Sequence, residues 1–161
     1  MTRLLPMTDT DYAWLLAPEP RADLRLCAGG LAPDEVTAML RGITAGLAAV
    51  DARALAWLII ENGEAVGMAS FTRRGADGRY EIGYGIAPAR QGRGVMTRAL
   101  AALLPMLRAD GHRGLTAANS VDNRGSQRVL EKSGFVPAGT RDDPEDGLLN
   151  LWAIDLTSSK A

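Results

Sequence analysis

The chain has 161 residues and a formal net charge of −1, with 18 Lys and Arg against 19 Asp and Glu. A single domain over residues 1–161 is expected, and the balanced charge disfavours general binding to nucleic acid or to a membrane surface. The one cysteine, Cys27, excludes an internal disulfide. Together with the lack of an apolar signal segment, it predicts a cytoplasmic location.

The first 86 residues predict elements in the order β-α-α-β-β-β. A strand over 3–7 is followed by a helix that Thr8 caps and that continues to residue 16. Strands are expected over 54–61 and 64–72, with the hairpin turn Asn62-Gly63 between them, and over 79–86. Pro33 suits the first turn of the second helix, whose apolar positions recur at helical spacing: Val36, Met39, Leu40, Ile43 and Leu47.

The remaining residues predict the order α-β-α-β-β. A short buried strand is expected over 115–118, then a helix over 125–133 that Asp122 or Asn123 caps. Strands over 135–142 and 148–155 would form a last hairpin, and the tail over 157–161 is expected to fray. Before these elements comes a helix over 95–110, and Pro105 should kink or split it. The apolar stripe of this helix is Met96, Ala99, Leu100, Leu103 and Leu107.

A glycine-rich basic turn joins the strand and the helix in the middle of the chain. Gly92 and Gly94 would let the backbone approach a ligand closely, and the N-terminus of the following helix would attract an anion. Arg90 and Arg93 add positive charge. The turn therefore predicts a pyrophosphate site. It is not a Walker loop, and the dinucleotide fingerprint would need glycine in place of Thr97.

Two motifs give this turn a family context. The run Gln91-Gly92-Arg93-Gly94-Val95-Met96 resembles the acetyl-CoA motif Q/R-x-x-G-x-G/A of the GCN5-related N-acetyltransferases (GNAT), with Met96 in the last position. The run from Asn123 to Phe135 is similar to N-x-x-S-x-x-[VL]-L-E-K-x-G-F in the branch that acetylates the N-termini of ribosomal proteins. Because both motifs occur in the family's order, the chain is identified as a member of this superfamily.

The resemblance implies an α/β (α+β) fold with a mixed, mostly antiparallel central sheet and flanking helices. Two neighbouring parallel strands would splay apart near Ile86 and Ala118, and acetyl-CoA would lie in the gap. No metal is expected. The residues implied to bind acetyl-CoA are Ile86, Ala87, Gln91, Gly92, Arg93, Gly94, Val95, Met96, Thr97, Asn123, Ser126 and Lys132.

Glu81 and Ser126 are the candidate catalytic residues. Strand alternation places Glu81 with Gly83 and Gly85, so its carboxylate would face open space and could take the amine proton directly or through water. The alternative is a solvated glutamate or a partner of an arginine. The resemblance places Ser126 near the CoA sulfur, where its hydroxyl could donate to the thiolate; the alternative is a local hydrogen bond at the helix N-terminus.

The remaining candidates are a backbone donor and several residues that are interpreted as structural. A backbone N–H near Ile86 or Ala87 would meet the oxyanion. Cys27 has no neighbouring base and is interpreted as a buried thiol, and His112 as a capping or surface residue. Tyr84 is assigned mainly to the core. The acidic run in the last hairpin is interpreted as a solvated turn.

The predicted function is transfer of an acetyl group from acetyl-CoA directly to a primary amine. The resemblance favours the α-amine of a protein N-terminus, with small amines such as polyamines as the alternative acceptors. A non-catalytic acyl-CoA-binding module and a nucleotide-binding regulator are the rivals from other classes. The expected partners are acetyl-CoA and the amine acceptor, without nucleic acid or membrane, and a homodimer is compatible with the sequence.

Overall fold

The computed structural model describes residues 1–157, which form eight strands, four α-helices and a 3₁₀ turn at Pro88–Arg90. The tail expected to fray lies outside the described residues except for Thr157, which donates two hydrogen bonds to Asp155. The strands are β1 Thr2–Pro6, β2 Arg25–Leu26, β3 Ala56–Glu61, β4 Glu64–Arg74, β5 Tyr80–Ile86, β6 Gly114–Ser120, β7 Val136–Asp143 and β8 Gly147–Asp155. The helices are α1 Asp9–Leu16, α2 Asp34–Ala48, α3 Val95–Ala109 and α4 Arg124–Lys132.

The strands form one mixed sheet in the order β1-β3-β4-β5-β6-β8-β7, with β2 added beside β4. The pairs β5–β6 and β2–β4 are parallel and the others are antiparallel. The Asn62-Gly63 turn joins β3 to β4 with both residues at positive φ, 52° and 75°, which is the backbone of a type I′ turn. The predicted mostly antiparallel α/β architecture is confirmed.

The parallel pair at the centre of the sheet separates along its length. Strands β5 and β6 pair only at Tyr80 with Leu115 and Glu81 with Thr116. Beyond these pairs β5 continues to Ile86 and β6 to Ser120, each held by its antiparallel neighbour on the outer side. The predicted splay is therefore present, and it leaves unpaired backbone edges on both sides of a gap.

The sheet divides the core into two layers. One face packs on α3 and α4 through residues that include Phe71, Tyr80 and Leu115. The other packs on the segment 7–40, and its buried members include Tyr12 and Cys27. The gap between β5 and β6 runs through the sheet and so lies between the two layers.

The structure settles one of the two alternatives for Pro105 and corrects the apolar stripe of α2. Pro105 does not split α3, which runs unbroken from Val95 to Ala109, because buried Leu103 and Leu107 hold the turns on both sides of it. In α2 the predicted stripe is wrong at Val36 and Met39, whose exposures are 38% and 55%. The helix instead turns Thr37 inward.

A second threonine of α2, Thr44, is half-buried beside α1, and its hydroxyl group has a hydrogen-bond partner there. Thr44 Oγ1 lies 2.8 Å from the hydroxyl of the buried Tyr12, which removes the cost of burying an isolated polar group. The short strand β2 was not predicted, since two residues carry no periodic signal. Within the described part of the chain, no helix has the length and apolar composition needed to cross a membrane.

Candidate active site

The open edge of β5 is the first part of the site. The N–H of Ala87 donates to the carbonyl of Val66 at 2.8 Å, so Ala87 belongs to the hydrogen-bonded positions that face β4. In an antiparallel ladder the neighbouring residue then points its N–H the other way. The N–H of Ile86 therefore faces the gap, whereas the N–H of Ala87 is already used. The carbonyl of Ile86 accepts a hydrogen bond from Gln91 Nε2 at 3.1 Å.

The start of α3 is the second part. Gly94 is the N-cap residue at φ 74°, and no side chain caps the helix there. Gly92 also has a positive φ, 75°, and a Cβ on it would meet no atom within 4 Å. The first-turn N–H groups have no partner inside the helix, so this terminus presents donors and positive potential to an anion.

The arginines around the turn have different roles. Arg90 donates to Glu64 at 2.8 Å, and Arg98 forms an ion pair with Glu61 at 2.9 Å. Arg98 also donates to the carbonyl of Arg93 at 2.9 Å, which ties the turn to the helix. Arg93 forms no ion pair within residues 1–157. It is therefore the cation of this turn whose charge is not already neutralised by a carboxylate.

The start of α4 is the third part. The side-chain oxygen of Asn123 accepts a hydrogen bond from the N–H of Ser126 at 3.0 Å. Of the two predicted caps, Asp122 and Asn123, the N-cap is therefore Asn123. This bond fixes the first turn. The Ser126 Oγ lies 2.8 Å from the hydroxyl of Tyr84 on β5, across the gap.

These three parts surround one cavity of about 420 Å³. Among the residues predicted to bind acetyl-CoA, Ala87, Arg93 and Lys132 do not line it; Ala87 is buried, and Lys132 is exposed at the end of α4. The cavity also includes residues outside that prediction, notably Tyr84 and Gly125. The predicted residues that it brings together are Ile86, Gln91, Gly92, Gly94, Val95, Met96, Thr97, Asn123 and Ser126.

A second cavity of about 210 Å³ lies beside it, between β4, β5 and α2. The two cavities share Tyr84 and Gly85, so they meet at the backbone where β5 borders the gap. The lining of the second cavity contains no charged side chain. It consists of Leu31, Ala32, Val36, Leu40, Met68, Ser70, Gly83, Tyr84 and Gly85.

Glu81 lies at the closed end of the splay, apart from both cavities. Its carboxylate oxygen is 3.3 Å from a guanidinium nitrogen of Arg141 on β7. It precedes Tyr84 by three residues, which at about 3.3 Å a residue is roughly 10 Å along the strand. Glu81 therefore has the arginine partner that the sequence left as an alternative to a catalytic role, and it lines neither cavity.

Sequence reasoning missed Tyr84 because a tyrosine in an alternating strand is ordinarily core. The ring does pack against the core on the α3 and α4 side, but its hydroxyl reaches the cavity. Burial raises the pKa of Tyr84, against a smaller opposing effect of the hydrogen bond with Ser126, so the phenol stays protonated.

The single cysteine and the single histidine are both buried. Cys27 lies in the apolar layer under α1, as predicted. The expectation that His112 is a surface residue is wrong: only its backbone N–H caps α3, by donating to the carbonyl of Leu107. Its ring packs on Phe71 and Tyr80 at centroid distances of 5.2 and 5.8 Å. Among residues 1–157, no group of three His, Cys, Asp or Glu side chains is placed to hold a metal ion.

Comparison with known proteins decides the family. The sequence model of the acetyltransferase (GNAT) domain matches residues 2–136, most of the chain. The chain belongs to the GNAT acetyltransferase family. A comparison with curated proteins finds no match. This GNAT protein is thus an N-acetyltransferase.

Solved structures show the same fold at low sequence identity. RimL, the ribosomal L7/L12 α-N-protein acetyltransferase in complex with coenzyme A, is 22% identical with a TM-score of 0.66 over 96% of this chain and 93% of that one. An acetyltransferase from Salmonella typhimurium that modifies the N-terminal serine of L7/L12 is 23% identical, with a TM-score of 0.69 over 96% and 94%. The microcin C7 self-immunity acetyltransferase MccE, in complex with acetyl-CoA and AMP, is 19% identical with a TM-score of 0.62 over 77% and 72%.

Proposed function

We propose that this GNAT protein transfers the acetyl group of acetyl-CoA to the α-amine at the N-terminus of a protein or peptide. The observation that carries the proposal is the meeting of two cavities at Tyr84 and Gly85. Two substrates can approach one gap in the sheet from opposite faces. Direct transfer in a ternary complex needs this arrangement, because the amine must reach the thioester without an acyl-enzyme step.

The groups that line the larger cavity have the chemistry to bind acetyl-CoA at three points. The uncapped N-terminus of α3 and the exposed backbone at Gly92 would hold the pyrophosphate. Asn123 uses its carbonyl oxygen to cap α4, so its amide nitrogen can donate to a carbonyl of the pantetheine arm. The open edge of β5 offers the N–H of Ile86, which supports that residue, rather than Ala87, as the oxyanion donor.

The reaction itself is an acyl transfer between sulfur and nitrogen. The amine nitrogen bonds to the carbonyl carbon, the carbon–sulfur bond breaks, and its electron pair stays on sulfur. The N–H of Ile86 would stabilise the charge that develops on the carbonyl oxygen. Ser126 would donate a hydrogen bond to the departing sulfur, and the surplus proton of the amine would leave through water, with Glu81 as the base at the end of that path.

When the acceptor is a protein α-amine, a base that is distant from the amine is sufficient to remove its proton. Its pKa is about 7.7–8.0 against about 10.4 for lysine, so a sizeable fraction is already neutral near pH 7.5. Glu81 lies roughly 10 Å along the strand from Tyr84 and pairs with Arg141. This geometry suits removal of a proton from a weakly basic amine better than deprotonation of a lysine.

The smaller cavity favours an N-terminus over a polyamine. It has no carboxylate to bind additional ammonium groups, and its side chains are apolar except for Ser70 and Tyr84. The acidic run of the last hairpin lines neither cavity; there Asp143 accepts hydrogen bonds from the N–H groups of Glu145 and Asp146. A volume of about 210 Å³ suits a small, uncharged first side chain. The fold shared with the two ribosomal-protein acetyltransferases is consistent with this acceptor class.

Peptide acetylation followed by mass spectrometry tests the proposal. Peptides with a free α-amine and a small first residue should be acetylated at that amine. Matched peptides with a tryptophan first residue should react more slowly, and peptides with a blocked N-terminus but a free lysine should not react. Acetylation of lysine or spermidine in preference to the α-amine would overturn the proposed acceptor. Tight CoA binding without thioester turnover would favour the binding-module alternative.

A further inference from the structure

The contact between Tyr84 and Ser126 joins two elements that are distant in sequence. Their hydroxyl oxygens are 2.8 Å apart, and both residues line the larger cavity. Ser126 is also held through its N–H by Asn123 at 3.0 Å. The backbone of Ser126 is therefore held by Asn123, and its Oγ is held beside Tyr84. What remains free is the direction of the hydroxyl proton, which is set by rotation about the Cβ–Oγ bond.

The chemistry of the two groups indicates which one donates. Each hydroxyl has one proton and can accept, but a phenol is the more acidic donor and an alcohol the better acceptor. Burial raises the pKa of Tyr84, so the phenol keeps its proton at neutral pH. When Tyr84 donates to Ser126 Oγ, the proton of Ser126 cannot point at Tyr84 and is directed elsewhere in the cavity.

We propose that Tyr84 is a positioning residue that donates its hydroxyl proton to Ser126 Oγ and so directs the Ser126 hydroxyl at the sulfur that leaves during acetyl transfer. The inference rests on the proposed function and on the role of Ser126 in it. No bond to Tyr84 forms or breaks. As the carbon–sulfur electron pair moves to sulfur, the hydrogen bond from Ser126 strengthens, and the bond from Tyr84 polarises Ser126 in the same direction.

The position of Tyr84 on β5 explains how its hydroxyl group reaches Ser126 on α4. Strand alternation turns Tyr84 to the same face as Tyr80 and Ile82, under α3 and α4. The loss of pairing between β5 and β6 beyond Glu81 opens the space through which the ring reaches α4. Tyr80 lies on the same strand and face, but its hydroxyl donates to Asp51 at 2.9 Å, away from both cavities.

A double-mutant cycle tests the inference. Tyr84→Phe removes only the hydroxyl and keeps the ring, and it should lower kcat about three- to tenfold, the equivalent of one hydrogen bond, while KM for acetyl-CoA stays within about twofold. Ser126→Ala should lower kcat at least as much. Adding Tyr84→Phe to Ser126→Ala should have little further effect, because the tyrosine would act through the serine. The matched control Tyr80→Phe should leave kcat unchanged.

A second readout does not require an acceptor. The ultraviolet absorbance of the CoA thiolate reports the pKa of the thiol when CoA is bound. Tyr84→Phe and Ser126→Ala should each raise that pKa relative to the unmodified protein, and Tyr80→Phe should not. If no amine is acetylated, the proposed function fails, but this titration still decides whether Tyr84 acts on the sulfur.

Three outcomes would overturn the inference. The first is a Tyr84→Phe variant with the kcat of the unmodified protein and an unchanged thiol pKa. The second is a set of losses that multiply in the double variant, since independent effects would mean that Tyr84 does not act through Ser126. The third is a loss that lies in KM for acetyl-CoA alone, which would mean that the tyrosine binds the cofactor.

Discussion

At the scale of single residues, the site depends on contacts between side chains on different elements. Tyr84 approaches Ser126 at 2.8 Å, and Glu81 approaches Arg141 at 3.3 Å. Each contact changes what the residue can do. The first places two hydroxyl groups within hydrogen-bond distance at the larger cavity, and the second sets a carboxylate beside a cation at the closed end of the splay. Substitutions at Glu81 and at Gly92 test the proposed roles of single residues.

Replacing Glu81 by glutamine tests the proposed base. Glu81→Gln should lower kcat/KM for an N-terminal peptide about tenfold at pH 7, less than the 10²–10⁴ typical of a directly placed base. The deficit should shrink above about pH 8, because the α-amine then loses its proton unaided. A pH–rate profile measures both effects. Glu145→Gln, in the last hairpin, is the control, and a deficit that is independent of pH would argue for a purely structural role.

Replacing Gly92 by alanine tests the proposed pyrophosphate site. At φ 75° a Cβ costs on the order of 1 kcal/mol of stability, and it would project into space that no protein atom occupies within 4 Å. Gly92→Ala should therefore lose stability and raise KM for acetyl-CoA about tenfold. Gly147→Ala is matched, with φ 76° and no atom within 4 Å. It should lose similar stability with KM unchanged; equal KM values in the two variants would contradict the site.

At the scale of elements, helix α3 connects the site to the core. Its N-terminus is left uncapped next to Gly92, while its buried face, with Leu100, Leu103 and Leu107, holds it on the sheet. Its C-terminus ends beside the buried His112. Strong packing along the helix can offset the unpaired groups at its N-terminal end, and the C-terminal end offers a test of that packing.

The pH dependence of stability should report the burial of His112. Burial lowers its pKa below 6.5, and nearby Arg53 lowers it further against the opposing charges of Asp51 and Asp110. As pH falls below about 6.5, the unfolded chain takes up a proton that the folded protein resists, so the free energy of unfolding should fall until the folded protein also protonates. Denaturant unfolding between pH 7 and 5 measures this.

The variant His112→Gln separates this histidine from other titrating groups. It should flatten the fall in the free energy of unfolding over that pH range, whatever its stability at pH 7. Asp51 does not interfere, because the hydrogen bond from Arg53 holds the pKa of Asp51 well below its usual range. The same pH dependence in both proteins would show that other groups are responsible.

At the scale of the whole molecule, the sheet separates two core layers, and the gap between β5 and β6 connects its two faces. The layer under α3 and α4 borders the larger cavity, the layer under α2 borders the smaller one, and both reach Tyr84 and Gly85. The opening exists because β5 and β6 each remain paired on their outer sides while they separate from each other. Binding at such an opening should stabilise the entire fold.

Thermal unfolding with ligands measures that stabilisation. Acetyl-CoA or CoA at about 100 times its Kd should add about 2.7 kcal/mol, which raises the midpoint by about 5 to 10 °C for a chain of this size. NAD and ATP at the same concentration should give a smaller shift. A larger shift with NAD or ATP would contradict the acetyl-CoA assignment and favour the nucleotide-binding alternative.

The sequence by itself determined those features that depend on neighbours along the chain. Periodicity located the main strands and helices, Asn62-Gly63 specified its hairpin, and the two motifs identified the family and most of the residues around the larger cavity. These succeed because hydrophobic period, turn chemistry and helix capping are local properties. Where local and tertiary effects compete, as at Val36 in α2 and Pro105 in α3, the local pattern was insufficient.

Only the tertiary structure decided which distant groups meet. Tyr84 and Ser126 are 42 residues apart, and Glu81 and Arg141 are 60 apart. The direction of the Ile86 N–H, and the hydrogen bond that the Ala87 N–H donates to the carbonyl of Val66, follow from strand pairing. No local pattern encodes that pairing. Strand order and register set these contacts because they bring separate segments to one gap, and the chemistry of the site depends on that juxtaposition.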